Sequence, residues 1–471
     1  MKLTFTALGV LDHVDLELGD LTVICGKNNT GKTYATYATY GFLRNWQNFS
    51  SLFIPEKDFP RLISEEALEL DLLEYPVKVW NELLQRMART YKDLLPNILA
   101  TADPERLTTT TVDIQIPPPS VIGETDFEHI ERWKDDKQLA AFSKKAGSSL
   151  LKITLFPDWK SLVPVFALRE ILGFTIQTKV LGLNYSQVFM ASTERTGAAI
   201  FKNELNFTRT RLIEAMTQAK NAQLNPQEIL EAVMPFNSKY ALPVRDEVDF
   251  ANQLENIQKD ESELLQKYPG ILDDFNDLLG GEYKVVKGIV YFAPQNAKST
   301  RLGLNETSSA VRSLLDIGFY LRHRARIGDI FMIDEPELNL HPSNQRKIAR
   351  LISRLVNAGL RVFITTHSDY IAKELNTLLL LHKAGPVFAE TLGYKSDELM
   401  DGNRVRLYIA GETKMRLGAD AQRATKCQTL IPIPQQPEGG FEFGSFDETI
   451  LDINKDQSRV WDYIMEHSKE D

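Results

Sequence analysis

The chain of 471 residues carries 54 basic against 64 acidic side chains, a formal charge of −10, with 43% hydrophobic and 25% charged residues. That composition is ordinary for a globular protein of two or three structural units, and its acidic balance excludes a surface built throughout to neutralise phosphates, although not a local basic groove on DNA. Two cysteines, Cys25 and Cys427, make neither a disulfide framework nor a metal cluster. No apolar run reaches the ~18 residues of a membrane span, and the start, Met1 to Phe5, lacks a signal peptide's apolar core. A cytoplasmic protein without membrane contact is expected.

In chain order, residues 1–25 read as strands, with apolar residues near every second position from Leu8 to Leu18 and a short buried strand at Leu21 to Cys25. A Gly-rich loop spans 26–33, and a helix is predicted from Lys32 to about Arg44. Glu65 to Leu99 reads as helical. Thr108 to Ile116 alternates like a strand and stops at Pro117-Pro118-Pro119. Lys152 to Phe156 is a further strand candidate, and helical patterns return at Phe201–Ala222, Pro226–Met234 and Val248–Lys267. They run for tens of residues, which suggests a compact arm and not a long coiled coil.

From Tyr283 the pattern sharpens: a strand from Tyr283 to Phe292, a helix from Ser308 to Arg324, a strand from Asp329 to Ile333, a helix from Ser343 to Ala358, a strand from Arg361 to Thr365 and a helix starting at Ser368. Strands alternating with helices predict an α/β fold with a mostly parallel sheet. The last 90 residues or so mix short strands with a Pro/Gly-rich stretch (Ile431 to Gly440) and an acidic terminal helix.

Gly26-Lys27-Asn28-Asn29-Thr30-Gly31-Lys32-Thr33 fits G-x-x-x-x-G-K-S/T at every fixed position, after a buried strand and before a helix. In such a loop the backbone N–H groups and the helix N-terminus make an anion nest. Lys32 is placed to reach β and γ phosphates and Thr33 to bring its hydroxyl to Mg²⁺. The motif predicts an ATP site.

Ile330 to Ile333 are four apolar residues that end in Asp334 and Glu335. A strand that buries its body and exposes two acids at its C-terminal end suits phosphate chemistry, because ligands of parallel sheets bind there. Asp334 is expected to hold the magnesium through water, and Glu335 to take the proton of an attacking water. One helix and one strand later, His367 ends a second buried strand, Val362 to Thr366, and is expected to contact the γ-phosphate.

This order of motifs resembles the heads of ABC-class ATPases, in the branch that contains structural-maintenance-of-chromosomes proteins, RecF and the overcoming-lysogenization-defect (OLD) ATPases. The residues that carry it are Gly26 to Thr33, Asp334 to Pro342 (Asp-Glu-Pro-Glu-x-x-Leu-His-Pro) and Thr365 to Ser368 (Thr-Thr-His-Ser). It covers roughly residues 1–45 and 285–385. The fold it implies is a mostly parallel head with an antiparallel β subdomain. The expected segments are 1–50 and 284–385 as the two parts of the head, 51–283 as an inserted, mainly helical arm, and 386–471 as a C-terminal extension suited to a partner.

The resemblance also implies a signature at a helix N-terminus that contacts the γ-phosphate held by a second copy. The family's usual Ser-Gly-Gly-Gln is absent, and Ser308 and Ser309 stand in its place. The bland alternative is that Ser308 only caps its helix. For the link between magnesium and the arm, Glu194-Arg195-Thr196-Gly197 and Gln295 are weak candidates, and a structural ion pair is the favoured role for Glu194 and Arg195.

Nuclease members of the branch carry a C-terminal Toprim domain, whose acidic pattern is missing after His367. The resemblance then narrows to ATPase subunits of two-gene anti-phage systems, Septu (with an HNH nuclease) and PARIS (with a Toprim nuclease). It implies a homodimer or higher oligomer joined through ATP-bound heads and a separate nuclease partner. A RecF-like DNA clamp and a sensor that binds ATP without hydrolysing it remain the alternatives.

Overall fold

The computed structural model describes residues 1–72, 74, 79–118, 126–183, 187–201, 240–297, 299–417, 424–436, 439–442, 455 and 457–460. The helices expected at 201–222 and 226–234 and the acidic terminal helix lie almost wholly outside them. In chain order the described strands are β1 (Lys2–Leu8), β2 (Leu11–Glu17), β3 (Leu21–Cys25), β4 (Ala67–Asp71), β5 (Thr111–Gln115), β6 (Phe127–Trp133), β7 (Lys137–Lys144), β8 (Leu150–Leu155), β9 (Val188–Ala191), β10 (Gly281–Val286), β11 (Ile289–Pro294), β12 (Leu302–Gly303), β13 (Ile330–Asp334), β14 (Arg361–Thr366), β15 (Val405–Met415) and β16 (Thr425–Ile433). The chain divides into two compact units, one of Met1–Leu18, Tyr34–Val188 and Thr208–Arg245, the other of Gly19–Thr33, Phe189–Phe207 and Asp246–Asp471.

In the first unit β1 pairs antiparallel with both β2 and β5. Leu3, Phe5, Val14 and Leu16 are fully buried, as the period-two pattern requires. A second antiparallel sheet has the order β4-β8-β7-β6, so residues 51–283 combine helices with strands. The helix read over Glu65–Leu99 is therefore corrected. Asp58–Glu65 is helical, Ala67–Asp71 is the strand β4, and the long helix is Trp80–Leu99. The physical reason is spacing. Leu68 and Leu70 are buried on either side of the exposed Glu69, a strand's period, whereas Leu83, Leu84, Met87, Tyr91, Leu95 and Ile98 recur at helical intervals and are all buried. Trp80 Nε1 donates to Ile116 O at 2.8 Å, and the Tyr91 hydroxyl donates to Ala38 O, which ties the helix to its neighbours.

In the second unit β15, β3, β14 and β13 run parallel side by side. β16 returns antiparallel along the outer side of β15, and β9 lies next to β13. β3 and β13 are buried at every residue, the signature of strands covered on both faces. The covering helices include Pro342–Asn357 and Asp369–Ala384, whose Ile348, Leu351, Ile352, Ile371 and Leu375 join Val23, Ile333 and Ile364 in one core. This is the α/β, mostly parallel architecture expected. Two local readings change. Tyr283–Phe292 is a hairpin, β10 and β11, that turns at Lys287 and Gly288 with φ of 52° and 78°. The helix of Ser308–Arg324 is broken at Leu314 (φ −96°, ψ 0°) into Ser309–Ser313 and Leu315–His323.

Candidate nucleotide site

The register of the parallel strands assembles the site. Cys25 at the end of β3 pairs with Thr366 on β14, and Thr365 pairs with Asp334 on β13. The phosphate loop, Glu335 and His367 therefore leave the same edge of three adjacent strands, their C-terminal edge.

Gly26 opens the loop with φ 149°, and a Cβ there would stand 2.8 Å from Ala410 O on β15, so only glycine fits. Asn29 (φ 63°) and Gly31 (φ 93°) make the other left-handed turns. Lys27, Asn28, Asn29 and Thr33 are exposed and Thr30 is half-buried, while Gly31 and Lys32 are buried. The Lys32 ammonium donates to Gly26 O at 2.9 Å and Lys27 O at 2.8 Å, and the Thr30 hydroxyl donates to Lys27 O at 2.8 Å. Burial lowers the Lys32 pKa, and the charges of Glu335, Asp334 and Glu337 pull it back up. The loop lysine and the acidic pair thus share one electrostatic site. Thr33 sits in the first turn of the helix Lys32–Arg44.

Asp334 is 1% exposed. Its Oδ1 accepts from the Thr365 hydroxyl, while its Oδ2 is buried with no hydrogen-bond partner. Burial pushes its pKa up to about 6, against the stabilising Thr365 bond. An orphaned buried carboxylate oxygen costs free energy as it stands and suits a divalent cation. Among the described residues no group of three or more His, Cys, Asp or Glu forms a metal cage. A magnesium ion would rest on Asp334, Thr33 and nucleotide phosphates, the sparse protein coordination usual for that ion.

Glu335 has φ 54°, and its N–H donates to Thr365 O and Thr365 Oγ1, each at 3.2 Å. Its Oε1 lies 3.2 Å from His367 Nδ1, and the same nitrogen is 3.3 Å from Glu337 Oε1. Glu337, Thr365 and Thr366 belong to the motifs that carry the resemblance but have no chemical role of their own in the sequence reading, yet they build this corner. Glu337 is 5% exposed, and its Oε1 accepts from the Thr366 hydroxyl and from His367 N–H, both at 2.8 Å. Burial raises its pKa and these bonds oppose the rise. The available signal was Pro336 between two glutamates, a rigid turn that can send both carboxylates back toward one histidine. With Nδ1 turned to the carboxylates, the Nε2 edge of His367 is left for a ligand, and it donates there only when the ring holds both protons.

Arg195 has a structural role, that of a backbone clamp. It is 1% exposed, and its bonds run to the carbonyl oxygens of Ser313 (2.9 Å), Ser192 (2.6 Å), Asp334 (2.7 Å) and Glu335 (2.6 Å). Ser308 and Ser309 are exposed. Ser308 caps the helix Ser309–Ser313, its Oγ accepting from Val311 N–H at 3.3 Å, so the capping role is real. Gln295 is exposed just beyond β11 with its N–H on Gly280 O at 2.9 Å. The hydrogen bonds described around Asp334 and Glu335 do not include it.

Residues 174–372 match the family model described as an AAA ATPase domain. The match takes in Arg195, Ser308, Ser309, Asp334, Glu335 and His367, and the phosphate loop lies outside it. No curated protein matches the chain. Among solved structures it is similar to an SMC head bound to the C-winged helix domain of ScpA, at 9% identity over 91% of this chain and 97% of that one, with TM-score 0.31. It is also similar to the SMC head domain from Thermotoga maritima, at 11% identity over 92% and 98% of the two chains, with TM-score 0.29. A third is an Smc head domain with an extended coiled coil derived from Pyrococcus furiosus, at 9% identity over 91% and 96%, with TM-score 0.28. These superpositions are long but loose, and the fold rests on the strand order and register of this chain. Among the described residues no helix is long and apolar enough to cross a membrane. Residues 174–372 are thus similar to an AAA ATPase domain, and residues 26–33 carry a phosphate-loop motif outside that match.

Proposed function

We propose that this chain hydrolyses ATP with magnesium, that two copies meet around the nucleotide, and that the assembly controls a separate nuclease in anti-phage defence. What carries the hydrolytic part is the corner in which Glu335 faces His367 across 3.2 Å beside an orphaned Asp334 oxygen. Lys32 and the loop N–H groups hold the phosphates. Glu335 orients a water and accepts its proton, as a general base within hydrogen-bond reach must. His367 keeps Glu335 in place through Nδ1 and turns its other nitrogen to the terminal phosphate. Thr33 and Asp334 would hold a magnesium ion, whose charge would offset that of the phosphates.

The defence role rests on the likeness of the motif run Asp334 to Pro342 and Thr365 to Ser368 to OLD-type ATPases, and the location in the cytoplasm goes with it. Pairing rests on Ser308 and Ser309, exposed at a helix start. The test has two arms. Lys32→Ala weakens nucleotide binding by about 10²-fold, since it removes a charge-assisted contact to phosphate; retained affinity would refute the site. Affinity purification from the native host, followed by identification of bound proteins, recovers a nuclease of HNH or Toprim type. A chain that comes down alone, or one that binds DNA by itself with a steep salt dependence, would sink the partner reading.

A further inference from the structure

Glu335 occupies a left-handed backbone conformation (φ 54°), which a side chain with a Cβ adopts at a cost of roughly 1 kcal/mol or more. Something must hold it there. Thr365 grips the N–H side of the residue. On the carbonyl side, Arg195 Nη2 donates to Glu335 O and Nη1 donates to Asp334 O. The carbonyls before and after the Glu335 Cα are therefore both fixed by one rigid fork, the planar geometry that lysine cannot reproduce. The remaining Arg195 bonds reach Ser192 O at the end of β9 and Ser313 O in the helix capped by Ser308. Ser313 in turn donates to Leu338 O at 3.2 Å, just past the acidic turn. The buried cation is balanced by the field of Glu247, then Asp334, Glu337 and Glu335, and Glu247 is itself held by the Ser192 N–H and hydroxyl.

We propose that Arg195 is a positioning residue of the hydrolytic corner, setting the backbone of Asp334 and Glu335 so that one carboxylate meets the metal and the other the water, and keeping the Ser308 helix in register with them. The proposal rests on the hydrolytic reading above. The bonds of Arg195 run to Ser192, Ser313, Asp334 and Glu335, whereas the phosphate loop is held by Lys32, Thr30 and Gln428. A disturbed Arg195 thus separates two properties that a general loss of folding would lower together.

The test compares wild type with Arg195→Lys and Arg195→Ala in the full chain, and uses Glu335→Gln as reference. A fluorescent ATP analogue reports affinity with Mg²⁺ and with EDTA, and phosphate release gives kcat and KM. In Arg195→Lys, affinity in EDTA stays within about threefold of wild type, the gain on adding Mg²⁺ shrinks by about tenfold, and kcat falls by about 10²-fold, the scale of a displacement of about 1 Å at a reacting centre. Lysine does not rescue alanine. A wild-type Mg²⁺ gain and kcat in Arg195→Lys would overturn the proposal. So would an equal fall of EDTA affinity, Mg²⁺ gain and kcat, which marks a merely structural role. If wild type and Glu335→Gln release phosphate equally slowly, the hydrolytic reading falls, and the Mg²⁺ gain alone still decides the role of Arg195.

Discussion

The corner around Asp334 and the turn at Ser308 are both polar, and they are built in opposite ways. In the corner Asp334 and Glu337 are buried, and Thr365, Thr366, His367 and Arg195 each spend a bond on holding a carboxylate or its backbone. At the turn, Ser308 and Ser309 are exposed at the start of a five-residue helix, and Ser308 Oγ accepts from Val311 N–H as its cap. A corner organised from within works inside one chain. Ser308 serves its own helix as a cap, and its exposure with Ser309 is what the proposed pairing with a second copy draws on.

The largest effect expected on this contrast comes from Glu335→Gln. It keeps the shape of the corner and removes the base, so kcat falls by about 10²-fold or more while ATP affinity holds. Phosphate release under single-turnover conditions measures it. Unchanged turnover would move the base elsewhere and leave the corner as a binding device only.

Next is the pH dependence of Asp334. Its pKa in the fold, about 6, lies above its ordinary 3.8. A raised carboxyl pKa means that the fold without ligand is favoured by the proton, and this contribution is lost as pH rises through about 6. Binding of Mg²⁺ with nucleotide takes the ionised form, so the metal-dependent gain in Tm grows from pH 5 to pH 7. Glu337 and Glu247 are also raised by burial, so the difference between wild type and Asp334→Asn isolates the aspartate. A gain that is flat with pH in wild type would contradict the metal assignment.

A smaller effect follows from Ser308→Ala. Loss of the cap alone lowers stability by about 1 kcal/mol. If the turn also serves a second copy, turnover per chain rises with chain concentration in wild type, and that rise shifts to about tenfold higher concentration in the variant. Thermal melts together with turnover at several concentrations separate the two. A shift in Tm without a shift in concentration dependence leaves Ser308 as a cap.

The same contrast explains what could be read from sequence. The phosphate loop, Asp334, Glu335 and His367 are legible as motifs because each lies at or just past the end of a short, mostly apolar strand, and burial on both faces leaves a run such as Ile330 to Ile333 one reading. Ala67–Asp71 was misread because Leu68, Leu70 and Leu72 sit next to a long helical segment, and a window wide enough for a helix averages a five-residue strand away. The roles of Arg195 and Glu337 were illegible for another reason. Arg195 bonds to carbonyl oxygens 118 to 140 positions away, and backbone acceptors leave no trace in residue identity. Glu337 differs from a solvated glutamate only in what folds over it.

Gln428 extends that lesson to the phosphate loop and carries the smallest prediction. Its side chain, on β16 opposite Glu412 of β15, donates through Nε2 to Thr30 O at 3.0 Å. The Thr30–Gly31 peptide is trans, since no cis bond occurs among the described residues, and in a trans peptide the carbonyl and the next N–H point in opposite directions. By drawing Thr30 O toward β16, Gln428 aims Gly31 N–H away from that strand, which leaves the donor for a phosphate under the proposed binding mode. Gln428→Leu preserves size and removes the donor. A neutral hydrogen bond is worth about 1 kcal/mol net, so nucleotide affinity weakens by roughly fivefold, in EDTA and in Mg²⁺ alike, with kcat at saturation unchanged. Arg195→Lys should show the reverse pattern, a lost Mg²⁺ gain with EDTA affinity kept. If Gln428→Leu instead lowers kcat and spares affinity, the hairpin acts on the hydrolytic corner and not on the loop, and the division of labour between loop and corner is wrong.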